Sequence, residues 1–367
     1  MKNIKFNELK GQHAYFGQSI EDAVKRVLES GWYILGPELE GFEQEFAKFN
    51  GNKHAIGVAN GTDAIEIALN ALGIGQGDEV ITVAHTAIAS AVGVCQSGAT
   101  PVFADIDPET YLIDPAHVES LVTPRTRAIM PVHLYGHPVD LTAMKAICTK
   151  HGLALVEDCS QAHGALFDGR KVGTHGDVAV FSLYPTKNLG AYGDAGVITT
   201  DDSDLADKCI KTRNYGQRAT YYSVMMGRNS RMDEIQAAIL REKVKRLDDM
   251  TEYRQRIGAS YKTNINGLAL PVTRDNCSHV YHLFVVRSER RDWLKEQMAE
   301  RGVGTLVHYP LPVHMQESFE FLGLKEGDLP ETERAANQVL SLPLHFSLDD
   351  DDIKYVADMV NEVVASS

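Results

Sequence analysis

The stretch Asp177-Val-Ala-Val-Phe-Ser-Leu-Tyr-Pro-Thr-Lys187-Asn-Leu-Gly-Ala-Tyr-Gly-Asp-Ala-Gly196 sets the reading of the whole chain. It opens as an alternating apolar run, Val178, Val180 and Phe181 leading to Leu183, which predicts a buried strand. Pro185 then holds Tyr184 extended and stops strand pairing. Lys187 is thereby placed just past a strand end, on a loop rich in Gly190, Gly193 and Gly196. Taken alone, such a lysine is a solvated loop residue. What surrounds it argues for more.

Outward from that run, strands alternate with helices. His54-Ala-Ile-Gly-Val58 reads as a strand, followed by Asn60-Gly61-Thr62-Asp63 and a helix with Ile65, Leu69 and Leu72 on one face. Strands at 79–84, 101–106, 128–134 and 154–158 alternate with helices at 87–97, 114–122 and 141–151. This predicts an α/β fold whose mainly parallel, seven-stranded-type sheet is covered on both faces. Strands 177–183 and 197–200 are joined by a short glycine-rich turn, which predicts a local antiparallel hairpin. Earlier helices are expected at 20–28 and 38–49. Past Thr200 the pattern changes: a helix at 203–213, a polar and aromatic-rich loop at 214–231, then one long helix from about Met232 through Leu247. Strands at 280–286 and 304–307, with helices at 293–301, 333–340 and 350–364, predict a smaller C-terminal α+β domain. The expected division is 1–245 for the large domain and 246–367 for the small one.

Composition narrows the function. A net charge of −14 argues against a nucleic-acid or anionic-membrane surface, which needs a basic face. The first residues lack the apolar core of a signal peptide, and the most apolar stretch, 87–95, is too short to span a membrane. The five cysteines are scattered without CxxC spacing, a reduced, cytoplasmic pattern with no structural zinc site. His133 and His137 have i,i+4 spacing but fall at a strand end and turn with no third ligand, so no metal is expected.

Ligands of parallel α/β sheets collect at the carboxyl ends of strands, and several polar residues fall there. Asn60-Gly61-Thr62 opens a helix, where free N–H groups and the helix dipole favour an anion such as phosphate. The same residues also make an ordinary turn and cap. His85 follows the strand at 79–84 and could lay its ring against a flat ligand, or simply be hydrogen-bonded in the core. Asp158 ends a very apolar strand, where a carboxylate either caps the next turn or pairs with a cationic nitrogen. Gln161 lies three residues on, and Ser182 offers a hydroxyl beside the lysine loop. A phosphate nest, a ring stacker, a carboxylate for a ring nitrogen and a reactive lysine are together what pyridoxal 5'-phosphate requires.

Five segments carry a resemblance. Val156-Glu-Asp-Cys-Ser-Gln-Ala-His-Gly164, Phe181–Gly196, Ala59-Asn-Gly-Thr62, the run from Gly227 to Ala238 and Gly302-Val-Gly-Thr-Leu-Val-His-Tyr-Pro310 resemble the DegT/StrS (DegT/DnrJ) family of pyridoxal-phosphate-dependent nucleotide-sugar aminotransferases. The resemblance implies the fold type I aminotransferase architecture and a homodimer with active sites at its interface. It makes Lys187 the Schiff-base lysine and Asp158 the pyridinium partner, puts Gln161 at the cofactor's phenolic oxygen and stacks His85 on the ring. Gly61, Thr62 and Ser182 would hold the phosphate, joined by Asn229 of a second subunit. Tyr184, His308 and Tyr309 would line the sugar pocket.

The implied reaction passes an amino group from L-glutamate, by way of pyridoxamine 5'-phosphate, to the keto carbon of a nucleotide-linked sugar. The Tyr184-Pro-Thr-Lys-Asn-Leu-Gly-Ala191 form most resembles the branch that aminates C3 of dTDP-3-keto-6-deoxyhexoses. Amination at C4 of UDP-, GDP- or dTDP-sugars is the alternative. Arg213, Arg218, Arg228 and Arg231 are candidates by location for a diphosphate. A nicotinamide oxidoreductase would need GxGxxG after the first strand, which Val58-Ala-Asn-Gly-Thr-Asp63 lacks. A non-catalytic regulator of the same fold would tolerate loss of Lys187 or Asp158, and both are present.

Overall fold

Runs of four or five residues that are apolar at both parities build the central sheet of the computed structural model, which describes residues 2–366. The strands are β1 (His54–Val58), β2 (Glu79–Val83), β3 (Thr100–Ala104), β4 (Thr126–Ile129), β5 (Ala154–Asp158), β6 (Val178–Ser182) and β7 (Gly196–Thr200). Their order across the sheet is β1-β7-β6-β5-β4-β2-β3. β3, β2, β4, β5 and β6 pair in parallel. β7 is antiparallel to both neighbours, so the hairpin expected from the glycine-rich turn forms between β6 and β7.

Successive side chains of a strand point to opposite faces, and both faces here are covered. Val178 and Val180 join a core with Ile65 and Leu69 of the helix Gly61–Ala71. Ala179 and Phe181 join the other core, with Leu39, Phe42 and Phe46 of the helix Pro37–Asn50. A further core gathers Tyr261, Phe284, Leu340, Val356 and Val360, together with Ile4 from the start of the chain. Its strands, β8 (Phe284–Arg287) and β9 (Val339–Leu342), pair antiparallel. The helix Leu247–Asn264 reaches both regions: Leu247 and Met250 pack in the large core, Ile257 and Tyr261 in the small one.

Several expected elements differ. The helix at 20–28 is the second half of a pair, Leu9–Phe16 and Gln18–Ser30, broken at Gly17 where φ is +50°. The strand at 128–134 ends at Ile129; beyond it Pro131 has no N–H to give, and only Val132 bridges to Asp158 before the turn Leu134–Gly136. The long helix from 232 is two, Glu234–Val244 and Leu247–Asn264. The strand at 304–307 is reduced to single bridges of Val303 to Ile4 and Leu306 to Ser341. The strand at 280–286 starts only at Phe284. The helix at 333–340 begins earlier, at Pro330, whose fixed φ suits a first turn. It yields at Val339, which pairs with Arg287.

Candidate active site

The carboxyl ends of β1, β2, β5 and β6 converge on one cavity of about 630 Å³. Asn60, Gly61 and Thr62 follow β1 and open the helix Gly61–Ala71. Asn60 caps it, its side chain accepting from the Asp63 N–H at 2.8 Å. A helix leaves its first N–H groups without intrahelical partners, and the dipole adds positive potential there. Ser182, at the end of β6, closes the other side of this cradle. Gly61 has no alternative at this position: a Cβ would stand 2.7 Å from Ser182 Cβ and 3.0 Å from its Cα. Gly61→Ala is therefore expected to push the helix start off β6 and lower both cofactor retention and the melting temperature, by about 1–3 kcal/mol of stability. Cofactor absorbance after gel filtration and a thermal melt check both.

Asp158 is 2% exposed and lines the cavity. Ser90 Oγ donates to its Oδ2 at 2.8 Å and the Ser160 N–H to its Oδ1 at 3.1 Å. Thr86 Oγ1 lies 3.2 Å from Ser90 Oγ. Both carboxylate oxygens are thus held by neutral donors, and no protein cation pairs with them among the described residues. Lys187 is partly buried on the same cavity. Desolvation pulls its ammonium down to about 8, against the opposing pull of the Asp158 carboxylate. At neutral pH such an amine is free base for an appreciable fraction of the time, as an ordinary lysine is not.

Gln161 is clamped from both ends. Its Oε1 accepts from the Tyr135 N–H at 2.7 Å and its Nε2 donates to Tyr309 Oη at 3.0 Å. Burial raises the Tyr309 phenol to about 12, keeping it protonated. His308 meets Ser341 Oγ through Nδ1 at 2.8 Å, and burial, then the nearby Lys187, lower it to about 4, so its ring is neutral. Both line the cavity, as does Tyr184, which is 51% exposed.

Two expected site residues stand elsewhere. His85 does not line the cavity: it is fully buried, its Nε2 2.8 Å from Tyr135 Oη and its ring against those of Tyr111 and Tyr135, which also touch each other. The following Thr86 and Ala87 line the wall instead. The expected stacking by His85 is corrected accordingly. Asn229 lies exposed on the loop after a small antiparallel hairpin formed by Gln217–Ala219 and Tyr222–Ser223, bridged to Asn214 and away from this chain's cavity.

The four arginines near that loop also separate. Arg213 is buried against Glu43 and the Gly57 carbonyl, a brace rather than a ligand site. Arg228 pairs with Asp63 and Glu66. Arg231 donates to Asn214 Oδ1. Arg218 lies over the Tyr222 ring on the hairpin.

His133 does find acidic and thiol neighbours, though not His137: its ligand atom lies within 4.8 Å of those of Glu157 and Cys159. The acceptors are already engaged. Glu157 accepts from the Gly173, His175 and Gly176 N–H groups and pairs with His133 Nε2, while His133 Nδ1 accepts from the Val139 N–H. The cluster is a hydrogen-bonded brace.

The residue pattern missed Ser90 and Ser160, which hold Asp158, and Thr86, which meets Ser90. Ser90 lies on the helix Ile88–Gln96, and only the fold turns that part of the helix toward the end of β5. An anion cradle, a carboxylate fixed by neutral donors and a partly deprotonated amine on one cavity fit pyridoxal 5'-phosphate.

Comparison with known proteins agrees. A "dTDP-3-amino-3,4,6-trideoxy-alpha-D-glucose transaminase" of Streptomyces venezuelae is 46% identical over 362 residues, covering 98% of this chain and 96% of that protein. The crystal structure of S. venezuelae DesV in complex with a ketimine intermediate superposes with a TM-score of 0.97 at 46% identity, over 99% of each chain. NtdA of Bacillus subtilis, solved with bound cofactor PMP, has a TM-score of 0.92 at 33% identity, over 100% of this chain and 86% of its own. The DegT/DnrJ/EryC1/StrS aminotransferase family profile matches residues 15–361. The chain belongs to that family and is a pyridoxal-phosphate-dependent aminotransferase.

Proposed function

We propose that this aminotransferase carries an amino group from L-glutamate to C3 of a dTDP-3-keto-6-deoxyhexose, releasing 2-oxoglutarate. The observation that carries the reading is Lys187, with its lowered basicity, facing the same cavity as Asp158. The substrate named for the Streptomyces venezuelae relative supports a dTDP-linked sugar aminated at C3.

Pyridoxal phosphate, when bound, supplies an electron sink for the carbanion that develops at the substrate carbon. Around it each residue has one task. Gly61, Thr62 and Ser182 receive the phosphate, joined by Asn229 of a second subunit in a homodimer. Asp158 would pair with the ring nitrogen and keep its proton in place. Gln161, already oriented by Tyr135 and Tyr309, would serve the phenolic oxygen. Lys187 Nζ would take a proton from the carbon bearing the amino group and return it to the carbon on the far side of that nitrogen, a 1,3 shift. Tyr184, His308 and Tyr309 line the space for the sugar. We assign residues 1–245 to the large domain and 246–367 to the small one, so His308 and Tyr309 come from the small domain. The five free cysteines suit a reducing compartment, and we place the enzyme in the cytoplasm. Among the described residues no helix is long and apolar enough to cross a membrane.

Incubating the enzyme with glutamate and a panel of keto-sugar nucleotides, then locating the new amine by NMR, tests the reading. The expected product carries nitrogen at C3 of a dTDP-linked sugar. An amine found at C4, or only on UDP- or GDP-sugars, rejects this substrate assignment.

A further inference from the structure

A second cavity, of about 210 Å³, adjoins the first. Thr186, His282 and His308 belong to the walls of both. Most of the remaining wall is apolar, with Phe6, Leu306, Leu342 and Leu344, but Asn7 and Arg254 break it.

Arg254 is 6% exposed. Its Nη1 donates to the carbonyls of Tyr281 and His282 at 3.1 and 3.4 Å, while its Nε has no hydrogen-bond partner. No carboxylate pairs with this guanidinium among the described residues. The other buried arginines are compensated: Arg213 meets Glu43 and Arg291 meets Asp292. Burial lowers Arg254 to about 10, which still leaves it cationic at neutral pH. His282 and His308, both held neutral by burial, put no second charge beside it. A buried cation without a counter-charge is expensive to maintain. A cavity wall is where a ligand can supply that counter-charge, and a planar guanidinium suits a carboxylate.

We propose that Arg254 binds the distal carboxylate of the amino-acid donor. The inference rests on the aminotransferase reading, in which the donor's α-carbon stands beside Lys187 in the first cavity. The second cavity, past Thr186, His282 and His308, then receives the group farther along the side chain. This makes Arg254 a residue that selects glutamate over its neutral isostere glutamine. A uronate on the acceptor sugar would present the same chemistry, and the two half-reactions distinguish the sources.

The test uses the holoenzyme and single-turnover half-reactions followed by cofactor absorbance. Wild type is expected to prefer glutamate to glutamine in kcat/KM by at least about tenfold, and Arg254→Gln to collapse that ratio by about the same factor through the KM for glutamate. General damage to the fold would depress both donors together and leave the ratio in place. Should Arg254→Gln not fold, Asn7→Asp supplies the cavity with an internal carboxylate and is expected to raise the glutamate KM while sparing glutamine. Binding of glutarate, which cannot react, is expected to raise the melting temperature of wild type and not of either variant. Equal use of the two donors by wild type, or an unchanged ratio in the variants, overturns the proposal. So does a loss confined to the acceptor half-reaction, which would reassign Arg254 to a sugar carboxylate. If wild type exchanges nitrogen with no amino acid at all, the proposed function fails first and this inference falls with it.

Discussion

Lys187→Ala is expected to lower turnover by on the order of 10⁴-fold or more, and to abolish the chromophore that borohydride fixes to the protein. Nζ is the group available both to tether the cofactor's aldehyde and to move the proton. The lowered basicity gives a second measurable consequence. With a pKa of about 8, roughly a tenth of these amines are neutral at pH 7, against fewer than about one in a thousand for an ordinary lysine. Capture of pyridoxal phosphate by the apoenzyme should therefore accelerate through about pH 8 rather than about 10.5, followed by absorbance in stopped flow. Stability moves with pH in the same direction. The unfolded lysine keeps its proton to about 10.5 and the folded one releases it near 8, so at neutral pH folding carries the cost of a desolvated ammonium. That cost shrinks as pH rises through 8 toward 10.5. Apo Lys187→Ala should accordingly melt no lower than the wild-type apoenzyme at pH 7. A glutamate half-reaction at wild-type rate in this variant would remove the assignment.

The second large effect is expected at Asp158. Asp158→Asn keeps the shape but removes the charge proposed to pair with the ring nitrogen, and should cost about 10²–10³ in kcat for both half-reactions. The side chain is held at both oxygens by Ser90 and Ser160, so the substituted carboxamide would have to turn its amino group against one of these donors. Ser90 can rotate its hydroxyl; the Ser160 N–H cannot. The variant should therefore bind cofactor with its amide oxygen toward Ser160, and a changed absorbance maximum of the bound cofactor reports the lost charge apart from any loss of occupancy. Retention of the wild-type spectrum and rate would sink the pairing of Asp158 with the ring.

Much of this arrangement was legible because β5 and β6 are apolar at both parities and end in polar residues, Asp158 and Ser182. Such strands are buried on both faces and deliver their last side chains to a sheet edge. His85 was misplaced because proximity to a strand end does not say which way a side chain turns, and here it packs into an aromatic cluster with Tyr111 and Tyr135. Ser90 and Arg254 were invisible for a different reason. Each matters through a partner or a void far away in sequence: Asp158 lies 68 residues from Ser90, and Arg254 faces a cavity shared with Phe6 and Leu342. Elements past residue 246 were the least legible. Short segments such as 304–307 settle as bridges or turns according to what packs on them, and local periodicity does not carry that information.

The antiparallel insertion of β7 between β1 and β6 also bears on how the polypeptide is made. β1 is the outermost strand and its neighbour is β7, so His54 waits for Thr200 and Val58 for Gly196. A nascent chain must hold the segment that leads into the Asn60–Thr62 cradle unzipped until well over a hundred further residues have left the ribosome, and contacts of such separation form slowly. Fragments released before residue 196 would expose that bare edge, which makes them natural clients for chaperones rather than autonomous folding units.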